Sequence, residues 1–364
     1  MTEFAVLDTP TSADPDPDEF IQAAMQWHFG EDTGSPYWLR RARTLEFDPL
    51  SDVKTVEDLA LFPNTVNELR DVPVEDLIPR GYRGRAEIAG IFESGGTTGA
   101  PKRVVGFTDW LDHTLAWMST RLDAWEFPRG TNWLAITPSG PHLIGALCAR
   151  LAASRGGINF TVDMDPRWVK KLIVVGKIEE ADAYAEHLID QAGFVLRTQR
   201  VGVLMTTPPM LERLSRHDDL VKLINDKVRG IEWGGAHLDP DTRDLLRTEV
   251  FPQTRLCGTY GSTMVLGGAV ERAGLTDDEP CIFDTHSPYI TFSVVDPETL
   301  RPVSYGERGQ VVMNHISKGM LLPNNLERDN ATRVQPPPGA VGDSVADVSP
   351  VETFDNEAVI EGVY

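Results

Sequence analysis

Hydrophobic positions along this chain change period several times, and the changes divide it. Phe20, Ala24 and Trp27 recur at i, i+4 and i+7, which predicts a helix ending by Gly30. Thr108 caps a second predicted helix, with Leu111, Leu115, Met118 and Leu122 on one stripe. Short apolar runs then alternate with helical patterns. Residues 133–137, 158–162, 201–205, 230–233 and 254–257 read as strands. Helices are predicted from His142, over residues 179–196, and after Asp239-Pro240, where aspartate caps and proline takes the first helical position. Such alternation predicts a mostly parallel sheet. Beyond about residue 279 the pattern turns to β, with residues 290–295 and 309–313 as an antiparallel pair.

The predicted fold class is therefore α/β, with β-sheets layered between helices and an antiparallel β subdomain. Four segments follow: an acidic, proline-rich, mobile arm (residues 1–19), an α/β core with a helical entry segment (20–278), the β subdomain (279–334), and a Pro/Gly-rich acidic tail (335–364).

Composition narrows the function. The chain has 364 residues, 41% of them hydrophobic, and a net charge of −21, enough for a large core. Broad binding to nucleic acid or an anionic membrane needs clustered Lys and Arg, so both partners are excluded as expectations. A nucleotide pocket is not excluded, because loops and helix N-termini offset charge locally. Cys148, Cys257 and Cys281 are widely spaced with no Cys-x-x-Cys, which signals neither a disulfide framework nor a zinc site. No secretory start and no apolar run near 18 residues is evident, so a soluble, cytoplasmic protein is expected.

One stretch concentrates the chemistry: Ser94-Gly95-Gly96-Thr97-Thr98-Gly99-Ala100-Pro101-Lys102. Glycine backbone and hydroxyl side chains can surround phosphate oxygens. The usual triphosphatase loop, G-x-x-x-x-G-K-[ST] before a helix, is rejected, because Lys102 lies beyond a helix-breaking Pro101. The stretch instead resembles the signature of the adenylate-forming superfamily of acyl-CoA synthetases, luciferases and adenylation domains. Glu93 and Gly95 depart from the usual residues. The entry segment around Tyr37 and Trp38 is similar to the phenylacetate-CoA-ligase-like branch.

Three further constellations fall in that family's order. Ser139-Gly140-Pro141-His142 opens a predicted helix beside a turn, where His142 either lines a pocket or satisfies the helix end. Trp233-Gly234-Gly235-Ala236 ends a predicted strand, and ligands of α/β sheets gather at such ends. Gly258-Thr259-Tyr260-Gly261-Ser262-Thr263-Met264 resembles the motif whose tyrosine stacks on adenine and whose threonine contacts the α-phosphate. Farther on, Asp329 in Glu327-Arg328-Asp329 is either the ribose-binding carboxylate or half of a surface ion pair.

The resemblance implies roles. Ser94, Gly95, Gly96, Thr97, Thr98, Gly99 and Lys102 hold phosphate, and Lys102, Thr263 and His142 are catalytic. Gly234, Gly235, Ala236, Thr259, Tyr260, Gly261 and Asp329 hold adenine and ribose. Trp133, Ser139, Gly140, His142, Trp233 and Gly258 line the acid site. ATP is the implied cosubstrate. Mg²⁺ is in question, because Met264 stands where the family usually has a glutamate and a thioether suits Mg²⁺ poorly. Only 35 residues (364 − 329) follow Asp329 and Lys318 is the last lysine, so the family's C-terminal lid and its lysine have no counterpart in this sequence. The expectation is slow, ATP-dependent activation of an aromatic acid, resembling lid-less phenazine-antibiotic enzymes of secondary metabolism. CoA, a carrier protein or a partner acting as lid would be the acceptor or helper. The alternative is a non-catalytic aryl-acid or acyl-adenylate binding protein.

Overall fold

Local sequence signals fix most element ends. In the computed structural model, which describes residues 4–94, 100–276 and 279–351 and the backbone of 353–354 and 357–358, the Asp16 side chain accepts from Glu19 N at 2.9 Å and starts the helix Pro17–Phe29. Asp165 starts Pro166–Val174 and Asp239 starts Pro240–Leu245 in the same manner, each with proline just inside the cap. The strands, in chain order, are β1 (Ile88–Ser94), β2 (Lys102–Phe107), β3 (Asn132–Thr137), β4 (Asn159–Asp163), β5 (Val201–Thr206), β6 (Gly230–Gly234), β7 (Arg255–Ser262), β8 (Gly267–Glu271), β9 (Ile282–Thr285), β10 (Ile290–Val295), β11 (Arg308–Ile316), β12 (Leu321–Val334) and β13 (Ser344–Pro350).

The chain forms two compact units. One comprises Met1–Trp117, Gly261–Ala269 and Asp284–Val348; the other comprises Met118–Tyr260, Val270–Phe283 and Ser349–Tyr364.

In the first unit, β1 and β2 form an antiparallel hairpin, and β10, β11, β12 and β13 are neighbours in that order. The helical entry is tied to the turn between β11 and β12 by three aromatic side chains. Trp27 Nε1 donates to Lys318 O and Trp38 Nε1 to Leu321 O, each at 2.9 Å, and His28 Nε2 bonds Ser317 O at 2.7 Å. These bonds let buried polar edges sit in an apolar layer without the cost of an unpaired group.

In the second unit, β4, β3, β5, β6 and β7 lie side by side and parallel. Every residue of β5 and β6 is buried, as strands covered on both faces require. The helix Leu143–Ser154 packs on one face, with Cys148 and Ile144 against Ala135 and Met205.

Three segments differ from the sequence reading. The arm is tied down: Thr9 O accepts from Tyr289 OH and bonds His113 Nε2, each at 3.1 Å, and the first long helix begins inside it. The 14-residue β12 was hidden by its polar run Asn-Asn-Leu-Glu-Arg-Asp-Asn. The segment read as a tail contributes β13, whose Val345 is fully buried and whose Ser344 Oγ donates to Asp284 at 2.6 Å.

Candidate functional site

The hairpin places the ends of the glycine-rich stretch opposite one another. Ser94 pairs with Lys102 at its mouth and Glu93 pairs with Arg103 one step deeper. Gly95, Gly96, Thr97, Thr98 and Gly99 lie outside the described residues. Arg103 Nε meets Glu93 Oε1 at 2.9 Å, so the acidic side chain beside the stretch is neutralised across the strands by the arginine. Lys102 thus stands at the mouth of the hairpin, directly across from Ser94.

The turn carrying Thr263 packs against both strands of this hairpin, so the first unit gathers two of the predicted phosphate elements. Ser262 Oγ accepts from Met264 N at 3.3 Å and opens the short turn Thr263–Val265. Its far side is fixed by rings: His315 Nδ1 bonds Val265 O at 2.6 Å and Trp110 Nε1 donates to Leu266 O at 2.9 Å. Met264 is buried at 3% exposure, facing the core. Among the described residues no group of three or more His, Cys, Asp or Glu could hold a metal ion. A buried thioether at position 264 offers Mg²⁺ no hard oxygen ligand. Gly261 allows close approach, since a Cβ there would lie 2.2 Å from Gly267 O. Asp329 is half-buried on β12, next to a register shift between β11 and β12.

A separate cavity of about 40 Å³ in this unit is lined by His28, Trp38, Val104 and Leu321, among others. It has room for no more than a few waters, at roughly 10–15 Å³ each, and contains none of the predicted site residues.

In the second unit, most acid- and base-directed candidates cluster at the carboxyl ends of the parallel strands. After β3, Ser139 N donates to Asp163 Oδ1 at 3.1 Å, and Gly140 takes φ +67°, a turn conformation suited to glycine. His142 starts the helix Leu143–Ser154 as its N-cap, without a side-chain capping bond. After β6, Gly235 has φ +79°, and Ala236 follows half-buried. Gly234 pairs with Thr259 and Trp233 with Gly258 in the ladder. A Cβ on Gly258 would lie 2.6 Å from the Trp233 ring, so glycine there makes room for the indole. Thr259 Oγ1 donates to Trp233 O at 3.2 Å, and Tyr260 lies near Phe283 with ring centroids 5.9 Å apart. Trp133 is the exception. It is fully enclosed near the amino end of β3, so its ring is a core side chain away from the strand ends.

Two functional-looking carboxylates escaped the sequence reading. Glu271 is 2% exposed, ion-pairs with Arg243, and accepts from Gly258 N at 2.7 Å. Glu232 is fully buried in β6, and neither carboxylate oxygen has a hydrogen-bond partner. Burial pushes its carboxyl up to about 7, against the opposing pull of Arg155. Arg155 itself is committed to Ser119 O, Phe127 O and Asp123. The available signal was an acidic residue inside the apolar run Gly-Ile-Glu-Trp, one of the few places where charge interrupts a buried strand.

Residues 51–319 match the family described as AMP-binding enzyme. A 2-hydroxyisobutyryl-CoA ligase in an open conformation, complexed with 2-HIB-AMP and CoA, superimposes with a TM-score of 0.64 at 16% identity, covering 93% of this chain and 69% of that one. The same ligase in its thioesterification state gives 0.63 at 16% identity, with the same coverage. At that identity the likeness concerns the fold. In sequence, 4-coumarate–CoA ligase 1 of Glycine max is 28% identical over 136 residues, which is 35% of this chain and 45% of the ligase, so the match spans less than half of that relative. No helix among the described residues is long and apolar enough to cross a membrane. With a match over most of its length and the mixed α/β fold of the adenylate-forming N-terminal domain, this chain belongs to the AMP-binding enzyme family.

Proposed function

We propose that this chain uses ATP to activate an aromatic, phenazine-like carboxylic acid as its acyl-adenylate, in secondary metabolism. The observation that carries the adenylation is the hairpin mouth, with Ser94 opposite Lys102, packed on the turn of Thr263. In this reading Lys102 and the hydroxyl of Ser94 hold the triphosphate, Thr263 contacts the α-phosphate, and Asp329 accepts from the ribose hydroxyls. Gly234, Gly235, Ala236 and Tyr260 take the base, while Ser139, Gly140, His142, Trp233 and Gly258 surround the acid. The carboxylate attacks the α-phosphorus and pyrophosphate departs, so positioning and fixed donors supply the rate. CoA is the acceptor we favour, as the ligand of the 2-hydroxyisobutyryl-CoA ligase.

ATP–pyrophosphate exchange across a panel of aromatic and aliphatic acids tests this. Exchange stimulated by an aromatic acid is expected; no exchange with any acid, together with no ATP binding, overturns it. Buried Met264 favours a second reading, a non-catalytic acid-binding protein that retains the fold. Tight acid binding that needs no ATP, without exchange, would select that reading.

A further inference from the structure

We propose that Glu232 forms the polar floor of the acid pocket and recognises a hydrogen-bond donor on the end of the acid remote from its carboxylate. The inference rests on the acid-activating reading above and names the substrate class within it. In the parallel ladder Glu232 pairs with Met205 of β5 and Cys257 of β7, and Met205 pairs with Ala135 of β3. Paired residues of a parallel sheet point to one face. Cys148, from the helix that begins after His142, meets Met205 on that face, with its sulfur 2.7 Å from the thioether. Glu232 therefore lies on the side of the sheet covered by the helix opened by His142. Gly234, two residues farther along β6, shares this face and brings no side chain to it.

A buried carboxyl whose two oxygens lack partners is rare in native proteins and calls for an occupant. Its place in the strand fixes where that occupant's polar atom must be. Two residues of a parallel strand span about 6.6 Å, so an acid held at the sheet's carboxyl edge near Gly234 puts a group about that far along within reach of Glu232. A flat acid with an amino or hydroxyl group opposite its carboxylate has that length. Met205, the residue beside Glu232 in the ladder, has an unbranched and adaptable side chain. A purely apolar acid would leave the carboxyl unpaired in the complex, and sites built to hydrogen-bond a substrate discriminate strongly against analogues lacking the group.

The test is titration calorimetry of the full chain with benzoate, 4-hydroxybenzoate and 4-aminobenzoate, with ATP present. It is run on the wild type, Glu232→Gln and Glu232→Leu, alongside thermal unfolding. The wild type is expected to bind the better donor-bearing acid at least about tenfold more tightly than benzoate. Glu232→Leu should erase that ratio and bind benzoate at least as well as the wild type. Glu232→Gln, which keeps the shape and one acceptor, should show a reduced ratio even if the leucine variant does not fold. An unchanged ratio in both variants, or no preference in a wild type that binds benzoate and ATP, overturns the role of Glu232 while leaving the acid-activating reading intact. Binding of ATP but of no acid, or of neither, removes the acid site and this inference with it.

Discussion

The Glu271 carboxylate accepts a hydrogen bond from the backbone N–H of Gly258 at 2.7 Å while paired with Arg243, and both acid and arginine are buried. Arg247 stands 3.8 Å away on the same carboxylate. A side chain from β8 thus fastens the strand that leads into Thr259 and Tyr260. Removing one partner of a buried pair leaves the other charge uncompensated, so Glu271→Ala should cost about 3–5 kcal/mol. Urea unfolding measures the loss, and a change below about 1 kcal/mol would show that the pair is dispensable. In Glu271→Gln, which can still accept from Gly258 N, nucleotide binding should survive better than stability does.

Acid should lower the stability of the whole chain through the buried imidazoles of the first unit. Burial lowers His28 to about 4 and His315 to about 3, and lowers His113 as well. Their contribution is fully present above the ordinary value of 6.5 and is lost as pH falls from there toward the folded values, because the unfolded chain takes up protons first. His28 and His315 each supply a slope of about 1.4 kcal/mol per pH unit in that window, and His113 acts in the same direction. Glu232 acts in the opposite sense. Its raised value makes the folded state bind the proton first, so its effect opposes the histidines between about 7 and the ordinary 4.5. Denaturant midpoints at several pH values should therefore fall below pH 6.5, less steeply than the histidines alone dictate, and more steeply in Glu232→Gln. A flat profile through pH 5 would contradict the burial of these rings.

Lys102→Ala should lower affinity for ATP by roughly 10- to 100-fold, the worth of about 1.5–3 kcal/mol for a bond to a charged group, with acid affinity nearly unchanged. Equal losses for both ligands would move the phosphate site elsewhere.

Asp329→Ala is expected to narrow the preference for ATP over 2′-deoxy-ATP, because a carboxylate can accept from two hydroxyls at once. If competition binding shows the same preference in the variant, Asp329 serves β12 alone.

The thiols of Cys148 and Cys257 are buried and pushed upward, chiefly by loss of water and further by the charge of nearby carboxylates. Neither should react with a thiol reagent at pH 8 until the protein unfolds. Rapid native labelling of either, mapped by mass spectrometry, would contradict the packing around Glu232.

Periodicity and end signals carried the helices and the parallel strands, because a cap such as Asp239 with the proline behind it acts within one turn of chain. The glycine-rich stretch identified the family for a like reason: phosphate recognition by a loop needs its residues consecutive. The polar β12, the strand hidden in the tail and the anchored arm were illegible, since each gains its order from partners far away in sequence, such as Tyr289 for Thr9 and Asp284 for Ser344. Arg103 becomes the partner of Glu93 only through hairpin register, which the chain order does not show. The sequence by itself determined which family the chain belongs to, because motifs are local. Tertiary structure alone decided that Trp133 is core, that Glu271 fastens Gly258, and that Glu232 is left dry and unpaired, because burial and partnership depend on what the rest of the chain brings alongside.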